Sequence, residues 1–119
     1  MSAHQRRKGA TGERELVNIL NVLVPGYAWM RTAPMQAGGV GYGDVSGHPR
    51  LYVECKRGRA TPQSALKQAV RDVEASVTAD GADRMPLAVT RADGEQWIVT
   101  MRLQDFCELI RTWDRLNGR

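Results

Sequence analysis

The apolar and polar positions change period several times along the chain, and each change marks an element. After Thr11, which can cap a helix, Leu16, Ile19, Leu20 and Leu23 recur at helical spacing, and Glu13 and Glu15 suit the positive end of the helix dipole. Pro25-Gly26 stops that helix. Residues 27–33 read as a first strand, and 36–47, dense in glycine, as a loop or irregular hairpin. Over 51–56 the period drops to two: Leu51, Val53 and Cys55 share one face, while Tyr52, Glu54 and Lys56 share the other. The apolar face is expected to pack on a helix, with a carboxylate and an ammonium projecting together from the opposite side.

A second helix begins at Thr61-Pro62, carries Leu66, Ala69, Val70, Val73 and Val77 as its buried stripe, and closes at Gly81. Residues 85–91 and 96–101 read as strands around the Ala92-Asp93-Gly94 hairpin turn. A last helix from about residue 103 sets Phe106, Cys107, Ile110 and Trp113 on one buried face. Trp97, Phe106 and Trp113 read as core, with a dimer interface as the alternative for Trp113. Residues 1–9 form a flexible basic arm. The order α-β-β-β-α-β-β-α, without repeat or linker, predicts one α/β domain over 1–119, a central sheet flanked by helices.

Seventeen Lys and Arg against thirteen Asp and Glu leave a net charge of +4, which favours an anionic partner, nucleic acid or an acidic membrane surface. No stretch has the length and apolarity of a membrane-spanning helix or the pattern of a secretory leader. Two cysteines, Cys55 and Cys107, are too few for a disulfide scaffold, a zinc ribbon or an iron–sulfur site, and both read as packing residues. The cytoplasm is the expected compartment. The glycine loop lacks the Gly-Lys-Ser/Thr ending of a phosphate-binding loop, so no nucleotide cofactor is expected.

The chemistry-bearing residues are Glu13 on the first helix, Asp44 after the glycine loop, and Glu54 and Lys56 on one strand. Magnesium takes hard oxygen ligands, usually one or two carboxylates plus waters and substrate phosphate. Asp44 and Glu54 lie on consecutive short strands, so their carboxylates can converge on one ion. The Cys55 backbone carbonyl would be a third ligand, with Glu13 completing the site directly or through water. Lys56 is placed to orient an attacking water and to stabilise charge on the phosphate. Basic groups flank this centre: Arg6, Arg7 and Lys8 in the arm, Arg14 and Arg31, and Arg57 and Arg59 after the Glu-x-Lys strand. They can neutralise phosphates of bound DNA.

The order of these parts resembles the PD-(D/E)xK nuclease superfamily, and within it the archaeal-type Holliday junction resolvases and their phage-encoded relatives. The likeness starts with Arg7-Lys8-Gly9-Ala10-Thr11-Gly12-Glu13-Arg14-Glu15-Leu16 and continues through Arg31, Gly43-Asp44-Val45 and Val53-Glu54-Cys55-Lys56. It implies a restriction-endonuclease-like mixed five-stranded sheet, with Glu13, Asp44, Glu54 and Lys56 as the catalytic quartet and Glu15 outside it. Arg14 and Arg31 fall where the family contacts phosphate. The likeness further implies a magnesium-dependent homodimer, manganese substituting, that cuts symmetric strands of a four-way junction in a prokaryotic cell or phage-infected host. The glycine loop, the connection after Lys56 and the full amphipathic last helix depart from the family pattern. Two alternatives stand beside the resolvase: a nuclease of the same fold acting on flaps, nicks or duplex, and a non-catalytic DNA-binding module.

Overall fold

The computed structural model describes residues 3–32, 43–58, 61–80 and 83–118, with the side chains at 3–8 and 76–80 outside the description. Along these residues run α1 (Ala3–Leu23), β1 (Met30–Arg31), β2 (Val45–Ser46), β3 (Leu51–Arg57), α2 (Pro62–Asp80), β4 (Met85–Arg91), β5 (Ile98–Thr100) and α3 (Leu103–Leu116), in the expected order. The strands make one mixed five-stranded sheet in sequence order. Its neighbours are antiparallel except β3 and β4, which run parallel in register from Leu51 with Met85 to Arg57 with Arg91. A parallel neighbour needs a crossover, and α2 supplies it. The fold is therefore α/β, a mixed sheet flanked by helices. No described helix is long and apolar enough to cross a membrane.

Alternation along β3 organises the two faces. Val53 and Cys55 join Leu16, Trp29, Val45, Leu87 and Val89 in the main core, with Val17, Leu20 and Leu51 packed against it. This is the α1 side. On the other side Tyr52 packs with Ala69 and Val73 of α2. Thr61 caps α2, its Oγ1 accepting the Ser64 N–H at 3.2 Å, and Pro62 occupies the first helical position.

Several local expectations are corrected. α1 begins at Ala3, so positions 3–9 of the expected arm are its first turns; Ala3, Gln5, Arg6, Arg7 and Lys8 are good helix formers, and the helix runs through Gly9. The first strand shrinks from 27–33 to two residues. The Asn21 side chain takes both backbone groups of Trp29, donating to its carbonyl at 3.1 Å and accepting its N–H at 3.0 Å, which a strand neighbour would otherwise satisfy. β5 is likewise shorter than 96–101. On α2 the buried set is Ala65, Ala69 and Val73, with Leu66 and Val70 half-buried, because small residues let the helix sit close to the sheet. Val77 and most of the glycine loop lie outside the described residues. The largest departure is α3: it forms as expected but buries none of its residues, leaving Phe106 and Trp113 exposed and Cys107 half-buried.

Candidate active site

Gly43 sets the position of Asp44. Its φ of +82° lies in the left-handed region, and an added Cβ would stand 2.4 Å from the Val53 carbonyl oxygen. That close approach lets the Asp44 N–H donate to the Val53 carbonyl at 2.7 Å. Asp44 Oδ2 then accepts the Cys55 N–H at 2.8 Å, which pins the carboxylate against β3. A strand residue directs its N–H and C=O to the same edge, so the Cys55 carbonyl also faces the Asp44 side, away from the β3–β4 ladder.

Glu54 is 3% exposed, more enclosed than an outward projection from the sheet would be, because it lies on the side that α2 covers. Lys56 keeps its Nζ 3.4 Å from Glu54 Oε1, as the shared strand face requires. The Asp44 charge acts on Glu54 across the β2–β3 pair. Burial first, and then the Asp44 charge, push Glu54 up to about 7. Burial is also the main cause that raises Asp44, with the Glu13 charge adding to it. Burial and the Asp44 charge lift the Cys55 thiol to about 12, which keeps it neutral and unreactive at pH 7.

Glu13, Asp44, Glu54 and Lys56 thus come together across α1, β2 and β3, near enough for each charge to act on its neighbours. Glu13 is oriented by Arg31, whose Nε donates to Glu13 Oε1 at 2.9 Å. Arg31 is therefore a partner of the candidate acid before it is a contact for phosphate. Glu15 does different work: its Oε1 accepts from Arg91 and from the Trp97 indole, both at 2.8 Å, and Arg57 lies 3.8 Å from its other oxygen. Arg57, expected as a phosphate contact, thus also stands beside a carboxylate. Alternation puts it on the α1 face under Gly12, where an added Cβ would come within 3.0 Å of the Arg57 Cβ. Arg14 is exposed beside Glu13. The side chains of Arg6, Arg7 and Lys8, and all of Arg59, lie outside the described residues.

Three residues near the site escaped the pattern reading. Tyr52, two before Glu54, donates its hydroxyl to Asp72 Oδ2 at 3.1 Å, and the Asp72 charge is felt at Glu54. The alternation that singled out Glu54 also marks Tyr52, but no local signal ties either to Asp72, twenty residues away. The third is Thr32, whose N–H donates to the Asp44 carbonyl at 3.0 Å. Opposed residues of an antiparallel pair share a side of the sheet, so Thr32 stands on the Asp44 side. Its hydroxyl is buried, and it has no hydrogen-bond partner. A buried unpaired hydroxyl costs about 1–3 kcal/mol. Thr32→Val should therefore raise the urea midpoint of the metal-free protein by the equivalent of about 1 kcal/mol; a lowered midpoint would assign the hydroxyl a structural partner.

Among the described residues no three His, Cys, Asp or Glu side chains gather into a metal-holding group. The donors that do converge are two carboxyls and one backbone carbonyl. Such a set suits an ion that retains several waters, as magnesium does, better than one needing a full protein cage. Magnesium thus remains a matter of donor chemistry here. No protein-family model, no curated protein and no solved structure matches the chain.

Proposed function

We propose that this chain is a divalent-metal-dependent DNA endonuclease that cuts branched DNA, four-way junctions foremost, as a homodimer. The observation that carries the reading is the enclosed Asp44–Glu54 pair with Lys56 3.4 Å from Glu54. Burial raises both carboxyls and the Asp44 charge raises Glu54 further, which favours a cation between them. Asp44, Glu54 and the Cys55 carbonyl would hold magnesium or manganese, with Glu13 reaching it directly or through water. When bound, such an ion supplies Lewis acidity and lowers the pKa of a coordinated water.

The chain's own groups divide the remaining work. The Cys55 N–H holds Asp44 in one orientation, and Arg31 does the same for Glu13. The Lys56 ammonium, with 39% of its side chain exposed, is accessible to hold an attacking water and to offset charge on a pentacovalent phosphate. Exposed Arg14 and the net charge of +4 draw the backbone of DNA toward this edge. The resemblance to the resolvases implies products with 5′-phosphate and 3′-hydroxyl ends.

The test is cleavage of end-labelled four-way junction, flap and linear duplex, with magnesium, manganese or chelator, beside Glu54→Gln. Paired symmetric cuts confined to the junction, lost with chelator and in the variant, are expected. Equal cutting of flap or duplex would keep the nuclease and discard the junction preference. Junction binding without any cutting would replace the enzyme by a DNA-binding module.

A further inference from the structure

Leu103, Phe106, Ile110 and Trp113 recur on α3 at spacings of three, four and three, which makes one continuous apolar stripe. Among the described residues of a single copy that stripe covers no other element extensively. Exposure runs from 40% at Ile110 to 75% at Leu103, no residue of the helix is buried, and α3 packs extensively against no other element. A helix of 14 residues is marginal in water on its own propensity, so its stability calls for a surface outside the single copy.

We propose that the apolar stripe of α3 is the surface through which two copies of this chain associate. The size fits. Leu109 and Leu116, 44% and 81% exposed, widen the stripe to six large apolar side chains, on the order of the about 800 Å² per partner that a standard stable interface buries. The composition fits too, since aromatic residues are enriched at interface centres. The charges bordering the stripe select the partner. Arg102 pairs with Asp105 at 2.8 Å and Arg111 with Glu108 at 2.8 Å, with Arg115 3.9 Å from Glu108. Arg102, Arg111 and Arg115 balance Asp105, Glu108 and Asp114, so the border is neutral. A neutral border neither attracts DNA phosphates or anionic lipid nor repels an identical surface. A two-fold pair uses the same patch on both copies, which self-complementarity of this kind permits. α3 follows β5, at the sheet edge remote from β1 and β2, so the Asp44 side of each copy stays open.

The assignment rests on the proposed reading only for the number of copies, and association is measured without DNA or metal, so the two can fail separately. Sedimentation equilibrium of the full chain in chelator should give twice 13.2 kDa, dissociating on dilution. The double variant Phe106→Ser/Trp113→Ser should associate at least a hundredfold more weakly, while Lys67→Ser, exposed on α2, keeps the wild-type constant. A monomer at every concentration would overturn the proposal, as would a dimer indifferent to the double variant, or a monomeric chain whose α3 binds anionic phosphatidylserine vesicles. Should the double variant not fold, amide exchange in wild-type α3 decides: protection that falls on dilution supports the interface, and protection independent of concentration overturns it.

Discussion

Changing Asp44 to asparagine should abolish cleavage, by about a thousandfold or more, and at the same time make the metal-free protein more stable at pH 8. Asparagine keeps an oxygen for the Cys55 N–H, so the local geometry survives while the charge goes. The stability gain follows from Glu54, whose proton is held to about 7 instead of the ordinary 4.5 by burial and by the Asp44 charge. Between those values the folded chain binds a proton that the unfolded chain has released. Stability is accordingly intact below 4.5 and falls as the pH rises through 7, by up to about 3 kcal/mol for a shift of this size. Removing the Asp44 charge returns part of that loss, about 1 kcal/mol at pH 8 and little at pH 4. Urea unfolding at both pH values, in chelator, reads the difference. A variant less stable than wild type at pH 8, or an unchanged pH profile, would remove the carboxyl pair as the source of strain.

Gly43→Ala should be strongly destabilising. The residue combines a φ of +82° with a backbone oxygen 2.4 Å from the would-be Cβ, so neither a dihedral change nor a rotamer can relieve the contact. Separating the chain before β2 from β3 sacrifices the Asp44–Val53 and Asp44–Cys55 hydrogen bonds as well. A loss of about 3 kcal/mol or more is expected. Gly94→Ala is the matched control, because Gly94 has nearly the same φ, +79°, but open space around it, and should cost about 1 kcal/mol. Equal urea midpoints for the two variants would mean that the close approach to β3 is not what demands glycine at 43.

β3 and β4 were legible because seven residues of strand leave a strong local signature, and the Glu-x-Lys face followed from a period of two. β1 and β2, two residues each, carry no periodicity; they exist through pairing with a neighbour and through the space left by Gly43. Amphipathic spacing revealed the apolar stripe of α3 but not its burial. A stripe states that a helix wants an apolar partner, and it is silent on whether that partner belongs to the same copy. The same limit explains the site. Glu13, Asp44, Glu54 and Lys56 sit in short motifs, whereas Asp72 and Thr32 arrive through tertiary approach. The approach of Arg57 to Glu15 was hidden because a basic turn and a basic strand end look identical in one dimension, although only the strand end is turned under α1.

Glu15 joins the two ends of the chain in time as well as in space. Its carboxylate receives Arg91 and Trp97, which follow it by 76 and 82 residues. During synthesis from the N-terminus, α1 therefore has no anchor at this point until the β4–β5 hairpin has been made. Glu13 is carried on the same helix two residues earlier. A chain interrupted before Trp97 possesses the Glu-x-Lys strand, the glycine-aspartate turn and the Arg31–Glu13 pair, yet lacks the Glu15 contacts, so part of the seating of α1 waits on residues made late in synthesis.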